Sequence, residues 1–217
     1  VTTEMARKVA EVNGLQCYDT FTGFKFLAEK KDKLEGAGEG KVVFSYEESY
    51  GYMLGDFVRD KDAVTASLAL TEMAAYYASK GMTVLDALNA LYEKHGYYGE
   101  KTHNLVMPGL DGLKDMAKLM ASLRQTPPRE IAGVTVRQFK DYQDGSVVDC
   151  ATGKASAMEL SGSNVLRFEL ADGTSIIVRP SGTEPKIKVY VLTKGKDAAE
   201  RDANLAKYAS WVAELKP

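Results

Sequence analysis

The sequence predicts a three-layer α/β domain followed by a smaller α+β domain with an antiparallel sheet. Three observations carry that expectation. Strand-like and helical patterns alternate from the N-terminus to the double proline Pro127-Pro128. Beyond it, short alternating strands follow one another with turn signals between them, and an amphipathic stretch closes the chain. The boundary is expected near Arg129, which divides the chain into residues 1–129 and 130–217.

The elements follow in order. "VTTEMARKVAEVNG" spaces Met5, Val9 and Val12 on one helical face and stops at Gly14. The chain enters this pattern within two or three residues and without an initiator Met, which suggests a piece of a longer chain. "LQCYDTFTG" alternates like a short strand ending in turn chemistry at Thr22-Gly23. "FKFLAEKKDKLEG" reads as a helix leading into the surface loop "GAGEG", and "KVVFSY" as a strand buried on both faces. A long helix is expected from about Asp62 to Lys80, with Asp62 as N-cap, Val64, Leu68, Met73 and Tyr77 among its apolar positions, and Gly81 as its stop. Thr83 and Asp86 form a capping-box pattern before "VLDALNALYEKHG", where Leu85, Leu88 and Tyr92 share a face. "DGLKDMAKLMASLRQ" is a further helix, halted by the prolines. In the second part, "GVTVRQF", "NVLRFEL", "TSIIVRP" and "KIKVYVLT" are strands, the middle two joined by the hairpin signal "ADG". "DAAERDANLAKYASWVAELK" is the closing helix.

Composition narrows the function classes. The chain has 217 residues, 45% of them hydrophobic and 27% charged, with a formal net charge of -2. That balance gives no bulk attraction for nucleic acid or an anionic membrane, so any anion site must be local. No apolar run approaches the ~20 residues needed to cross a bilayer, and no signal-peptide pattern opens the sequence. Cys17 and Cys150 lack metal-ligand or CxxC spacing and read as reduced core thiols of a cytosolic protein.

Two stretches carry chemistry. "RPSGTEPK", between two apolar strands, offers the guanidinium of Arg179, the hydroxyls of Ser181 and Thr183, and Gly182, whose lack of a side chain lets backbone N–H groups face a ligand. Lys188 follows on the next strand. This set suits a phosphate, although turns contain Ser, Gly and Pro in any case. "FSYEESYGYMLGDFVRDKD" leaves the carboxyl end of the "KVVF" run, where ligands of α/β sheets gather. There Glu47, Glu48 and Ser49 can bond sugar hydroxyls, and Arg59 and Lys61 add positive charge. The bland alternative makes residues 59–62 a solvated charge run at a helix start.

Together these stretches resemble the α-D-phosphohexomutase superfamily, most closely its phosphoglucomutase branch. That family's sugar-recognition loop, of the form GEES-aromatic-G followed by D-x-x-R-x-K-D, stands here as "YEESYG" and "DFVRDKD". Its phosphate-binding loop, Arg-x-Ser-Gly-Thr before a basic strand, stands as "RPSGT" and "KIKVY". "TFTGFKF" also looks like a family segment, and Tyr46 departs from the family's Gly. The matches run in order over the whole chain.

The resemblance implies a specific division of labour. Residues 1–129 would be the third domain of four, with the sugar loop, and residues 130–217 the fourth, a TATA-binding-protein-like fold with the phosphate loop. Implied substrate contacts are Glu47, Ser49, Lys61 and Arg59; implied phosphate contacts are Arg179, Ser181, Gly182, Thr183 and Lys188. No catalytic residue and no metal ligand is expected in this chain. The family's phosphoserine lies in its first domain and its magnesium site, an Asp-x-Asp-x-Asp loop, in its second. The implied activity is interconversion of glucose 1-phosphate and glucose 6-phosphate through glucose 1,6-bisphosphate, in a cytoplasmic phosphoprotein of carbohydrate metabolism. The partners would be a hexose phosphate and the family's N-terminal domains, with the chain inactive alone. Phosphomannomutase or phosphoglucosamine mutase, or a non-catalytic phosphosugar-binding module, are the alternatives.

Overall fold

The computed structural model describes residues 1–55 and 57–215, and contacts divide the chain into two units, Val1–His95 and Gly96–Pro217.

The first unit opens with α1 (Glu4–Val12), capped by Thr3, whose hydroxyl accepts from the Met5 N–H at 3.2 Å. Helix α2 (Phe24–Gly36) buries Phe24, Ala28, Leu34 and also Lys31. Lys31 reaches Glu35 Oε1 at 2.6 Å, and the same oxygen accepts from the Val42 N–H at 2.9 Å, which ties the following loop back to the helix. Strands β1 (Phe44–Glu47) and β2 (Gly51–Leu54) pair as an antiparallel hairpin in the register Phe44↔Leu54 to Glu47↔Gly51. Helix α3 (Ala63–Ala78) starts at the expected cap: the Asp62 carboxylate accepts from the Val64 and Thr65 N–H groups. The Thr65 hydroxyl and these amides hold the Asp62 carboxyl below its ordinary range. Helix α4 (Val84–His95) begins with the Thr83–Asp86 capping box, in which each residue's side chain accepts from the other's N–H.

Three expectations for this unit change. "LQCYDT" has no strand, and Cys17 is exposed. The "KVVFSY" run is not a strand buried on both faces, for pairing begins only at Phe44 and Val43 is 61% exposed. A hairpin of two strands has too little neighbouring surface to cover both faces. The apolar positions of α3 also do not form a core stripe: Val64 is 79% and Leu68 60% exposed, and Ala66 is the residue the helix buries.

The second unit is built on one antiparallel sheet. Its elements are β3 (Tyr97–Val106), α5 (Gly112–Gln125), β4 (Glu130–Ile131), β5 (Val134–Asp141), β6 (Ser146–Asp149), β7 (Ala155–Ala157), β8 (Leu166–Leu170), β9 (Ser175–Pro180), β10 (Lys186–Gly195) and α6 (Ala198–Glu214). The spatial order is β3-β10-β9-β8-β5-β6-β7, with β4 beside β5. The expected turn between β8 and β9 is present, with Gly173 at φ 83°. Period-two alternation sends Leu166, Phe168 and Leu170, Ile176 and Val178, and Ile187, Val189 and Val191 to one face. There they meet Leu119, Met120 and Leu123 of α5 and Tyr208 and Val212 of α6 in a single core. The architecture is therefore an α/β domain followed by a domain with an antiparallel sheet.

The division falls after His95 rather than near Arg129. Strand β3, which sequence periodicity did not reveal, pairs with β10 along its whole length, and α5 joins the same core. Both elements precede the prolines but belong to the second unit.

Candidate functional site

The first candidate segment is the tip of the β1–β2 hairpin. Glu47 ends β1, Ser49 and Tyr50 form the exposed tip, and Gly51 opens β2. Tyr50 takes φ 66° and is 88% exposed, a left-handed conformation that a side-chain-bearing residue adopts at a cost of about 1 kcal/mol. The Glu47 carboxylate accepts from the Gly23 N–H at 2.6 Å, so the hairpin is tied to the residue that caps α2. A side chain on Gly51 would lie 2.6 Å from the Phe24 ring, which makes this glycine the point where hairpin and helix touch. Lys61 completes the group: its stem passes beside Gly51 and its Nζ stands 5.5 Å from the Phe24 ring centre.

The expected substrate residues thus separate. Glu47, Ser49 and Lys61 gather around the hairpin. Arg59 turns instead to α2, where it forms an ion pair with Asp32. Lys61 also pairs with Asp60 at 3.2 Å, and that lysine's N–H and Nζ hold the Asp60 carboxyl below its ordinary range. The contributions of Gly23, Phe24 and Gly51 were not anticipated. "TGFKF" was a signal for the first two, because a glycine before a helix beginning with Phe marks a backbone turn against an aromatic.

The second segment is the connection between β9 and β10. Their register sets Arg179 directly opposite Lys188, on the face away from the helices. Both cations therefore stand at the mouth of the turn, spaced by the ladder. The Arg179 guanidinium lies 5.9 Å from the ring centre of Tyr190, which roofs part of that face. The turn is closed by the Ser181 N–H, which donates to the Lys186 carbonyl at 2.8 Å. Inside it, the Ser181 hydroxyl accepts from the Thr183 N–H at 3.4 Å and the Glu184 N–H at 3.3 Å, both long for such bonds. Gly182 and Thr183 are exposed. Lys186 pairs with Glu184 at 2.5 Å, an ion pair within the turn.

Farther along the same sheet face, Arg167 and Lys140 meet the Glu169 carboxylate at 2.7 and 3.0 Å. Burial would raise the Glu169 carboxyl, but Arg167, Ser175 and Lys140 outweigh it and hold it below its ordinary range. Of the two histidines, His103 is paired with Val189; desolvation and nearby Lys101 lower its basicity. Among the described residues no three His, Cys, Asp or Glu side chains converge to hold a metal ion, and no helix is long and apolar enough to cross a membrane.

The comparisons with known proteins match the two parts of the chain in order. Residues 1–95 match the family model described as "Phosphoglucomutase/phosphomannomutase, alpha/beta/alpha domain III", and residues 105–205 match the family's C-terminal domain. A phosphoglucomutase of Staphylococcus aureus strain N315 is 36% identical over 197 residues, 91% of this chain and 35% of that protein. The phosphoglucomutase of strain MRSA252 is 35% identical over the same coverage. The chain thus spans about a third of the length of these relatives. Among solved structures, pp63/parafusin, a phosphoglucomutase from Paramecium, shares the fold with a TM-score of 0.62 at 20% identity, over 99% of this chain and 37% of that one. The chain belongs to the phosphoglucomutase/phosphomannomutase family, of which it carries domain III and the C-terminal domain.

Proposed function

We propose that this chain supplies the sugar and phosphate recognition of a cytoplasmic phosphoglucomutase that interconverts glucose 1-phosphate and glucose 6-phosphate. The observation that carries the proposal is the β9–β10 register, which sets Arg179 and Lys188 side by side at the entrance of a turn containing Ser181, Gly182 and Thr183. A phosphate there takes charge-assisted hydrogen bonds from the two cations. It also gives the Thr183 and Glu184 amides a charged acceptor in place of the Ser181 hydroxyl, which holds them only at long range. The hairpin tip, with Glu47, Ser49 and Lys61, reads the ring hydroxyls, while Arg59, engaged by Asp32, adds charge at a distance.

In this proposal the reaction is phosphoryl exchange on a serine outside the residues described. The P–O bond of the phosphoserine breaks as the free hydroxyl of the bound hexose phosphate forms a new one, and the proton that hydroxyl gives up is balanced by the one the departing serine oxygen takes on to become a hydroxyl. The resulting glucose 1,6-bisphosphate then returns its other phosphoryl group to the serine. This chain's residues hold the phosphate that is not transferred and orient the sugar, a positioning contribution. Among the described residues no group of three His, Cys, Asp or Glu side chains fits the magnesium ion expected for the family.

Two measurements on the purified 217-residue chain test the proposal. It is expected to show no mutase turnover with glucose 1-phosphate and activating bisphosphate, whereas inorganic phosphate shifts the backbone amide signals of Gly182 and Thr183. Turnover would overturn the division of labour. Unmoved Gly182 and Thr183 signals at saturating phosphate would overturn the phosphate assignment.

A further inference from the structure

The segment "MPGLDG", residues 107–112, lies between β3 and α5 and was not part of either candidate stretch. It touches the phosphate turn in two ways. The Met107 N–H donates to the Pro185 carbonyl at 2.9 Å, so the last part of the turn is bonded to the chain leaving β3. Gly112, the first residue of α5, sits against the same place: a Cβ there would lie 2.1 Å from the Met107 carbonyl oxygen and 3.1 Å from Pro185 Cβ. Backbone cannot swing aside as a flexible side-chain end can, so only a glycine lets α5 begin this close.

Both ends of the contact are fixed. Met107 belongs to the buried core together with Ile187, and α5 is anchored in that core by Leu119, Met120 and Leu123. Pro185 lies between the exposed residues 182–184 and β10, where a shift of the carbonyl is passed to the Ser181–Lys186 bond next to it. The start of α5 is therefore braced, through Met107, against the part of the turn that presents Gly182 and Thr183.

We infer that Gly112 and Met107 are positioning residues for the 181–185 turn: they fix its shape and so set its affinity for phosphate. The inference rests on the proposed phosphate role of that turn, but the contact itself is testable without a ligand. In the Gly112→Ala chain without phosphate, the amide signals of residues 181–186 move from their wild-type positions. Inorganic phosphate then binds about tenfold more weakly, as expected when a preset site is displaced by a fraction of an ångström. Leu119→Ala, which opens the core on the same helix away from the turn, is the control. It lowers the melting temperature and leaves phosphate affinity within about twofold of wild type. Equal weakening by both variants would overturn the inference by showing that general loosening is enough.

Hydrogen exchange in the wild-type chain provides a measurement independent of how well the variants fold. The Met107 amide exchanges more slowly when inorganic phosphate is bound. An unchanged Met107 rate alongside shifted Gly182 and Thr183 signals overturns the brace and leaves the phosphate site standing. If wild-type Gly182 and Thr183 fail to shift, the site itself is wrong, while unmoved 181–186 signals in phosphate-free Gly112→Ala remove the brace independently of it.

Discussion

The two candidate segments are mounted on different kinds of support. The β9–β10 turn joins two inner strands of a seven-strand path, and the core beneath it includes Phe168, Ile176, Val178, Ile187 and Val189, all wholly buried. The β1–β2 hairpin has two strands, a tie from Glu47 to Gly23, and a glycine pressed on Phe24. Around it, Val64, Leu68 and Val43 face solvent. The difference teaches that a cation pair can be positioned by ladder register alone when the strands are locked, whereas a hairpin tip has to borrow its position from individual side chains.

The largest expected effect tests the well-supported side. Phe168→Ala removes a wholly buried ring whose centre lies 5.3 Å from that of Phe139 and is expected to lower the unfolding free energy of the second unit by about 3–5 kcal/mol, measured by urea denaturation. A loss below 1 kcal/mol would show that this core does not carry the sheet.

An intermediate effect concerns the charged face. Glu169 is held below its ordinary range in the folded chain, so it contributes stability above about pH 4.3, the unfolded value, and loses it as pH falls through the lower folded value. Glu169→Gln is accordingly expected to cost about 1–2 kcal/mol at pH 7, allowing for partial exposure of its partners. The gap to wild type closes as the solution is taken below the carboxylate range. A gap that stays constant down to acid pH would assign the loss to shape rather than charge.

The smallest effect sharpens the contrast. Leu68→Ala on α3 replaces a side chain that is 60% exposed and changes stability by no more than about 0.5 kcal/mol. A loss of 2 kcal/mol or more, read from the same denaturation curves, would mean that this helix face is covered in solution and would remove the difference between the units.

How much was legible follows the range of the interactions. The caps at Asp62 and at Thr83–Asp86, the turn at Gly173 and the strands β5, β8, β9 and β10 were readable because their signals lie within a few neighbouring residues. Strand β3 was not. Its residues "YYGEKTHNLV" carry no clean apolar alternation, and it exists because β10, some ninety positions away in sequence, offers a partner for every residue. Missing β3 moved the expected boundary to the prolines. "KVVF" failed for the opposite reason, since an apolar run signals burial but cannot say whether anything lies across from it. At the candidate site the motif residues were visible as types. That Arg59 would be taken by Asp32, and that Arg179 would face Lys188, depended on partners far along the chain or on register.

Strand β10 also governs where proteases can cut. It is hydrogen-bonded on both sides, to β3 along its whole length and to β9 from Ile187 to Leu192. Freeing the strand that leads out of the β9–β10 turn means breaking both ladders, an opening close in cost to unfolding the whole unit. The hairpin tip can part by releasing a single short ladder. Limited digestion therefore nicks the chain near Ser49–Tyr50 long before it cuts within β10, and the nicked product keeps an intact β9–β10 turn.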